Sequence, residues 1–279
     1  MQRWIVIPLI VFFTTGAMGV ERAFLPRVEL LSDDFLEVSE TQRISVDHDP
    51  WDRFLETYVA TDGTGVNRVD YAGVTAADNQ ALDDYLLSLQ AIDPADLTRD
   101  QQLAFWINLY NAKTVDLILD NYPVESIRDI KQGFLSLSPW DRKVLDIGGF
   151  RLTLNVVVHR IIRPIYDEPR IHYALNCAAE SCPNLATRAW RAATLDADLT
   201  VAEKAYVNDP RGVRIDDEAM LVLSKIYGWF REDFGRNEAA VLERLTAFAE
   251  PPLNAKLAGR TSVDRYEYDW SLNDRISDE

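Results

Sequence analysis

Residues 100–121 limit the fold more than any other stretch. The run QQLAFWINLYNAKTVDLILDNYP places apolar side chains at Leu103, Phe105, Trp106, Leu109, Tyr110, Val115, Leu117, Ile118 and Leu119. On a helix these positions cover far more than one narrow stripe, so most of this helix is expected to be buried. Pro123 closes it. Asn108 and Asn111 lie three apart and share a face. Buried amides need partners. The two asparagines therefore either bond the backbone of a neighbouring loop, or line a pocket and orient a reacting group.

The rest of the chain reads as shorter elements. A helix is expected from Asp49, as N-cap, to Val59, with Trp51, Phe54, Leu55 and Tyr58 on one face. The turn cluster TDGTG at 61–65 leads to a short strand at 67–71. A second helix spans 75–89. Strands at 142–147 and 150–154 flank Gly148-Gly149, a two-residue hairpin signal. A helix over 155–165 carries His159 and is broken at Pro164. Further on come a helix at 192–208, a hairpin of 212–215 with 220–223, helices at 224–234 and 237–249, and a terminal strand at 265–271. The class is α+β, with many helices packed around a modest, mostly antiparallel sheet.

Residues 1–19 read as a secretory signal peptide. Arg3 precedes an apolar run from Trp4 to Phe13, and Ala17-Met18-Gly19 supplies a cleavage site. Ten apolar residues are too few to span a bilayer. The mature chain is expected in a periplasm or outside the cell, and not as an integral membrane protein. Residues 20–48 show no strong period and serve as a lead-in. With 279 residues, 47% of them hydrophobic, one large domain over 49–274 is expected. The formal charge is −16, and loss of the leader, whose one charged side chain is Arg3, makes it about −17. Such acidity excludes nucleic acid and anionic membranes as partners, since both need basic surface.

Reactive side chains gather at 171–185, IHYALNCAAESCPNL, which holds Cys177, Cys182 and His172. Residues 171–175 read as a short buried strand. His172 and Cys177 then meet only if the chain turns near Asn176. Three readings compete. Cys177 and Cys182 are close enough in sequence to form a small disulfide loop, given an oxidising compartment. Alternatively Cys177 is a nucleophilic thiolate with His172 or His159 as base, oriented by Asn176, Asn155 or an acid. The third reading is a metal site, but H-x4-C-x4-C matches none of the usual zinc spacings. The chain holds no Gly-rich phosphate loop, G-x-S-x-G or H-E-x-x-H. No cofactor is implied.

Four stretches, AFWINLYNAKTVDLIL, RIHYALNCAAESCPNL, LVLSKIYGWFREDFG and YDWSLND, resemble the domain of unknown function 547 family. The resemblance runs from about Trp51 to Asn273. It implies that the family's histidine and cysteines fall on His172, Cys177 and Cys182, and its helix asparagines on Asn108 and Asn111. Analogy with papain-like and transglutaminase-like thiol enzymes implies a Cys–His site and a distant likeness of fold. The family pattern places an acid before position 159, where this chain has Val158. That moves any acidic role elsewhere, for example to Glu180.

The leading expectation is an exported protein with a pocket around His172, Cys177 and Asn108. As an enzyme it would be a thiol-dependent hydrolase or acyl transferase, with Cys177 as nucleophile and His172 as base. Asn111, His159, Asn176 and Cys182 are the further candidate contacts for a small-molecule or peptide ligand. The alternative is a non-catalytic binding or scaffold module whose Cys177–Cys182 disulfide shapes a ligand loop.

Overall fold

A computed structural model describes residues 26–130 and 138–275. The expected leader lies outside the described residues. The central element is α3 (Arg99–Leu119), after α1 (Asp49–Tyr58) and α2 (Ala76–Gln90). A capping box starts α3: the Thr98 hydroxyl accepts from Gln101 N–H, and the Gln101 side chain accepts from Thr98 N–H. Every residue from Gln102 to Ala112 is buried, as the width of its apolar stripe demands. Helix α1 begins after His48, not with an Asp49 cap. Asp47 accepts the N–H of Asp49, which places Asp49 and Asp52 in the first turn, where negative charge favours the helix N-terminus.

The sheets are smaller than expected. β1 (Val59–Thr61) pairs antiparallel with β2 (Asn67–Val69), and β3 (Leu145–Ile147) with β4 (Phe150–Leu152). Ile147 faces Phe150, so Gly148 and Gly149 form a two-residue loop, both with positive φ (58° and 80°), as a type I′ turn requires. A third sheet orders β5 (Val213–Ile215), β6 (Leu221–Ser224) and β7 (Arg265–Glu267). There β5–β6 is antiparallel and β6–β7 parallel. The terminal strand ends at Glu267 because the chain beyond it leaves this sheet for another partner. Helices α4 (Leu195–Val207) and α5 (Glu238–Phe248) pack beside the third sheet. The class is α+β, several helices around small, mostly antiparallel sheets.

The helix expected at 155–165 is not broken by Pro164. Its middle, Val157–Ile162, is wound as a π-helix, with short α-helical pieces at Leu154–Val156 and Arg163–Tyr166. Pro164 has no N–H to give the carbonyl of Arg160. Leu31 N–H donates to that carbonyl instead, at 2.9 Å, and Glu29 N–H to that of His159 at 3.4 Å. The lead-in segment thus satisfies the carbonyls that the proline and the wider winding leave open.

Two apolar clusters result. One surrounds α3 and draws on α1, α2, β3, β4 and the π-helix. The other holds Tyr173, Tyr206, Tyr227 and Phe234 with the apolar faces of α4, β6 and α5. Among the described residues, no helix is long and apolar enough to cross a membrane.

Candidate functional site

The strand expected at 171–175 is a helical turn, Ile171–Ala174. Glu168 explains it: its carboxylate accepts from both the backbone and the guanidinium of Arg170. That fixes a tight turn from which Ile171, His172 and Tyr173 N–H donate three residues back. All four residues of the turn are buried, and in a fully buried segment of this length apolar alternation no longer separates strand from helix.

The chain then swings through the cysteine loop, held by amides. Asn111 on α3 donates to Ala174 C=O and accepts from Asn176 N–H, both at 2.9 Å. Asn176 accepts from Ala178 N–H and donates to Pro183 C=O, closing the loop on itself. Asn108, one turn earlier on α3, makes the same two-handed contact with another segment: it donates to Trp190 C=O and accepts from Trp190 N–H. Both helix asparagines thus bond loop backbone, and Asn108 is not on the cavity described below.

Cys177 and Cys182 are joined in a disulfide, Cα to Cα 6.2 Å, and no free cysteine remains. This overturns the expected nucleophile. A bonded sulfur offers no thiolate, so a thiol-dependent hydrolase or acyl transferase with Cys177 and His172 has no attacking group. The metal reading has no geometry either: among the described residues no group of three or more His, Cys, Asp or Glu is placed to hold an ion.

The Tyr268 hydroxyl lies 3.0 Å from Cys177 Sγ and 3.1 Å from Cys182 Sγ. Disulfide sulfurs carry no hydrogen, so the phenol donates to them. Burial pushes its pKa well above the ordinary range, which keeps that proton in place. Tyr268 is delivered by the C-terminal segment, which runs antiparallel to the cysteine loop. Ser181 and Glu180 N–H donate to Asp269 and Ser271 C=O, and Asn273 N–H to Ala178 C=O. Ser181 Oγ also accepts from Asp269 N–H.

His172 Nε2 donates to Asp233 Oδ2 at 2.7 Å. Arg163 donates to both oxygens of Asp233, at 2.6 and 2.7 Å, and to His159 Nδ1 at 2.9 Å. These partners put the proton of each imidazole on Nε2. Phe230 packs within this network, stacked on His172 with centroids 4.0 Å apart. Burial lowers the pKa of His172 although Asp233 opposes it, and burial with the nearby Arg163 charge lowers His159 to about 3. Both rings are neutral at pH 7. Burial works against the Asp233 carboxylate, but hydrogen bonds from His172 and Arg163 hold it well below the usual carboxylate range. The acid beside the histidine is therefore Asp233. Glu180 is engaged elsewhere, gripped by both terminal nitrogens of Arg68 at 2.7 and 2.8 Å.

The two histidines, Phe230, Tyr268 and the disulfide border one cavity of about 310 Å³. His159, His172, Cys177 and Cys182 line it together with Asn155, so five of the residues expected at a site converge there, while Asn108, Asn111 and Asn176 stand outside its lining. Its walls come from both apolar clusters: Tyr110, Trp140, Val158 and Trp270 from the first, Ile226, Trp229, Phe230 and Tyr268 from the second. Trp140, Trp229, Phe230, Tyr268 and Trp270 are not among the site residues expected from the sequence. A signal existed, since Trp229, Phe230, Tyr268 and Trp270 stand in the two motifs IYGWFRED and YDWSLND.

Residues 94–207 match the family described as protein of unknown function, DUF547. The DUF547 span contains α3, the π-helix, the cysteine loop and α4. It stops short of Trp229, Tyr268 and Trp270, which complete the cavity. No curated protein and no solved structure matches the chain, and the likeness to papain- and transglutaminase-like enzymes gains no support from them.

Proposed function

We propose that this chain is a non-catalytic binding module whose Cys177–Cys182 disulfide shapes a ligand cavity. The observation that carries the reading is the convergence of three distant segments on one open volume. The cysteine loop, the 226–230 turn and the C-terminal 268–270 segment all border a cavity of about 310 Å³. That is within the size of sites for small ligands, and the mixture of aromatic rings with a few polar groups is what such sites use. The disulfide supports the reading chemically. It removes a reactive thiol from the wall and fixes the loop that carries it, while Asn111 and Tyr268 hold the loop from two sides. A persistent disulfide suits an exported chain, in line with the leader-like residues 1–19. Residues 49–274 act as one unit in this reading, because the C-terminal segment is a wall of the site.

The test is displacement of an environment-sensitive apolar fluorophore. A saturable single site is expected in the full chain. It is lost when the cavity is filled by Val158→Trp in a variant that keeps its thermal transition, and weakened in the Cys177→Ser, Cys182→Ser double variant. Equal titration of the filled variant would show that the dye binds elsewhere and remove the reading. Alkylation under denaturing conditions without reductant is expected to label no cysteine.

A further inference from the structure

We propose that the cavity takes a small quaternary ammonium ion, held against an aromatic wall by the Asp141 carboxylate. This rests on the reading of the cavity as a binding site and adds the class of ligand.

The wall is a run of tilted rings. Trp229 lies 4.9 Å from Tyr268 and 5.7 Å from Trp270, Tyr268 lies 4.6 Å from Trp270, and Trp140 lies 5.6 Å from Trp270. Such rings present π faces and attract cations. One already does so here: the Arg128 guanidinium, which does not line the cavity, sits 5.1 Å from the Trp270 ring centroid. Asp141 is the acid on the lining, half-buried, and takes a hydrogen bond from Asn155 at 2.7 Å. No lysine or arginine lines the cavity among the described residues. The nearest arginine of the histidine network, Arg163, has both Asp233 oxygens as partners. The two histidines on the lining are neutral, as argued above. Among the described residues the lining therefore presents one carboxylate within largely aromatic walls, on a chain of formal charge −16.

The kind of cation follows from what is missing. A primary ammonium brings three N–H donors that need three acceptors. A sugar would need many directed polar partners. Among the described residues, beyond Asp141 and the two histidines, the lining's side-chain polar groups apart from the Tyr and Trp rims are those of Ser138 and Asn155, whose amide nitrogen is turned to Asp141, too few directed partners for a sugar. A quaternary ammonium asks for no hydrogen bonds, sheds its water easily and matches both the rings and the charge.

The experiment compares choline with its neutral carbon isostere, 3,3-dimethylbutan-1-ol, by calorimetry and tryptophan fluorescence on the full chain. Choline is expected to bind saturably, at least about tenfold tighter than the isostere, with a change in tryptophan emission. Asp141→Asn is expected to lower choline affinity by about tenfold and leave the isostere unchanged. Trp270→Phe, which keeps a ring, retains choline binding, whereas Trp270→Leu loses most of it at an unchanged thermal transition. If the isostere binds as tightly as choline, the cation is wrong and the binding module stands. If neither binds while the apolar fluorophore still occupies the cavity, the ligand class again fails alone. If the fluorophore also fails, both fall.

Discussion

His48 and His172 are both buried and each is tied to an oxygen 2.7 Å away, His48 Nδ1 to the Tyr85 hydroxyl and His172 Nε2 to the Asp233 carboxylate. Burial depresses the pKa of both, that of His48 to about 4. Each also lies near an α3 asparagine or the loop that one holds. Yet the two sites differ in what surrounds them. His48 has neutral hydrogen-bond partners, Tyr85 and Asn108, with the charges of Arg191 and Asp52 nearby but not bonded to it, and does not line the cavity. His172 belongs to a charged network with Asp233 and Arg163 and borders open volume. A depressed imidazole pKa reports burial at both places. A candidate site is marked instead by access, and by distant segments meeting around it.

The largest expected effect separates the charged network from the neutral one. Asp233→Ala leaves Arg163, whose side chain is 7% exposed, without its counter-charge and His172 without an acceptor. Breaking a buried ion pair this way costs about 3–5 kcal/mol. Tyr85→Phe removes one neutral hydroxyl beside His48 and costs about 1 kcal/mol. Urea unfolding midpoints measure both. Equal losses would mean that the Asp233–Arg163 pair is solvated in solution, and the contrast would collapse.

The two asparagines give the next test. Asn111→Ala and Asn108→Ala each strand one buried backbone N–H and one C=O, for roughly 2–4 kcal/mol apiece. Their similar cost hides different consequences. Only Asn111 holds the cysteine loop, so fluorophore affinity falls in Asn111→Ala and stays unchanged in Asn108→Ala. A drop in both would tie the Trp190 segment to the cavity.

The same contrast explains how much was legible beforehand. Helix α3 was readable because its burial is written in a continuous apolar pattern, and the hairpin at Gly148-Gly149 because its turn needs positive φ. The segment 171–174 was misread because four buried residues have no exposed face to set a period, and Glu168, which winds the turn, lies outside them. His172, Cys177, Cys182 and His159 were visible as reactive types, and they do share a cavity. Their chemistry was not visible. Spacing alone leaves thiolate and disulfide open, and the choice depends on the loop that Asn111, Asn176 and Tyr268 fix. Asp233, Trp229, Tyr268 and Trp270 were missed because each comes from a segment more than forty residues from the cysteine loop.

Acid offers a finer comparison. His48 and His159 have folded pKa values of about 4 and about 3, below the ordinary imidazole value, because burial penalises their charged forms. The unfolded chain therefore takes up protons first. Their stabilising effect is complete above about pH 6.5 and is lost as pH falls toward the folded values. At pH 5 each forfeits roughly 2 kcal/mol. Asp233, held below the carboxylate range, loses its share only below about pH 4, so it does not contribute to this window. The thermal midpoint is expected to drop between pH 7 and pH 5, and His48→Gln and His159→Gln should each flatten the drop by a similar amount. If only His159→Gln did so, the surroundings of His48 would be more open to water than its burial implies.

The smallest effect concerns the backbone beside the disulfide. His48 has an ordinary φ of −103°, whereas Ala178, next to Cys177, is held at +58°, in the left-handed region. An L-residue there costs roughly 1–2 kcal/mol, which glycine would relieve. Against this stand glycine's extra unfolded-state entropy, about 0.5–1 kcal/mol, and the loss of a fully buried methyl group, about 0.8 kcal/mol. The terms nearly cancel, so Ala178→Gly should change stability by less than about 1 kcal/mol and leave fluorophore affinity intact. A loss above about 2 kcal/mol would mean that the methyl group packs the loop more firmly than the strain opposes it. The cavity wall would then be set by side-chain packing at Ala178 as much as by the hydrogen bonds of Asn111, Asn176 and Tyr268.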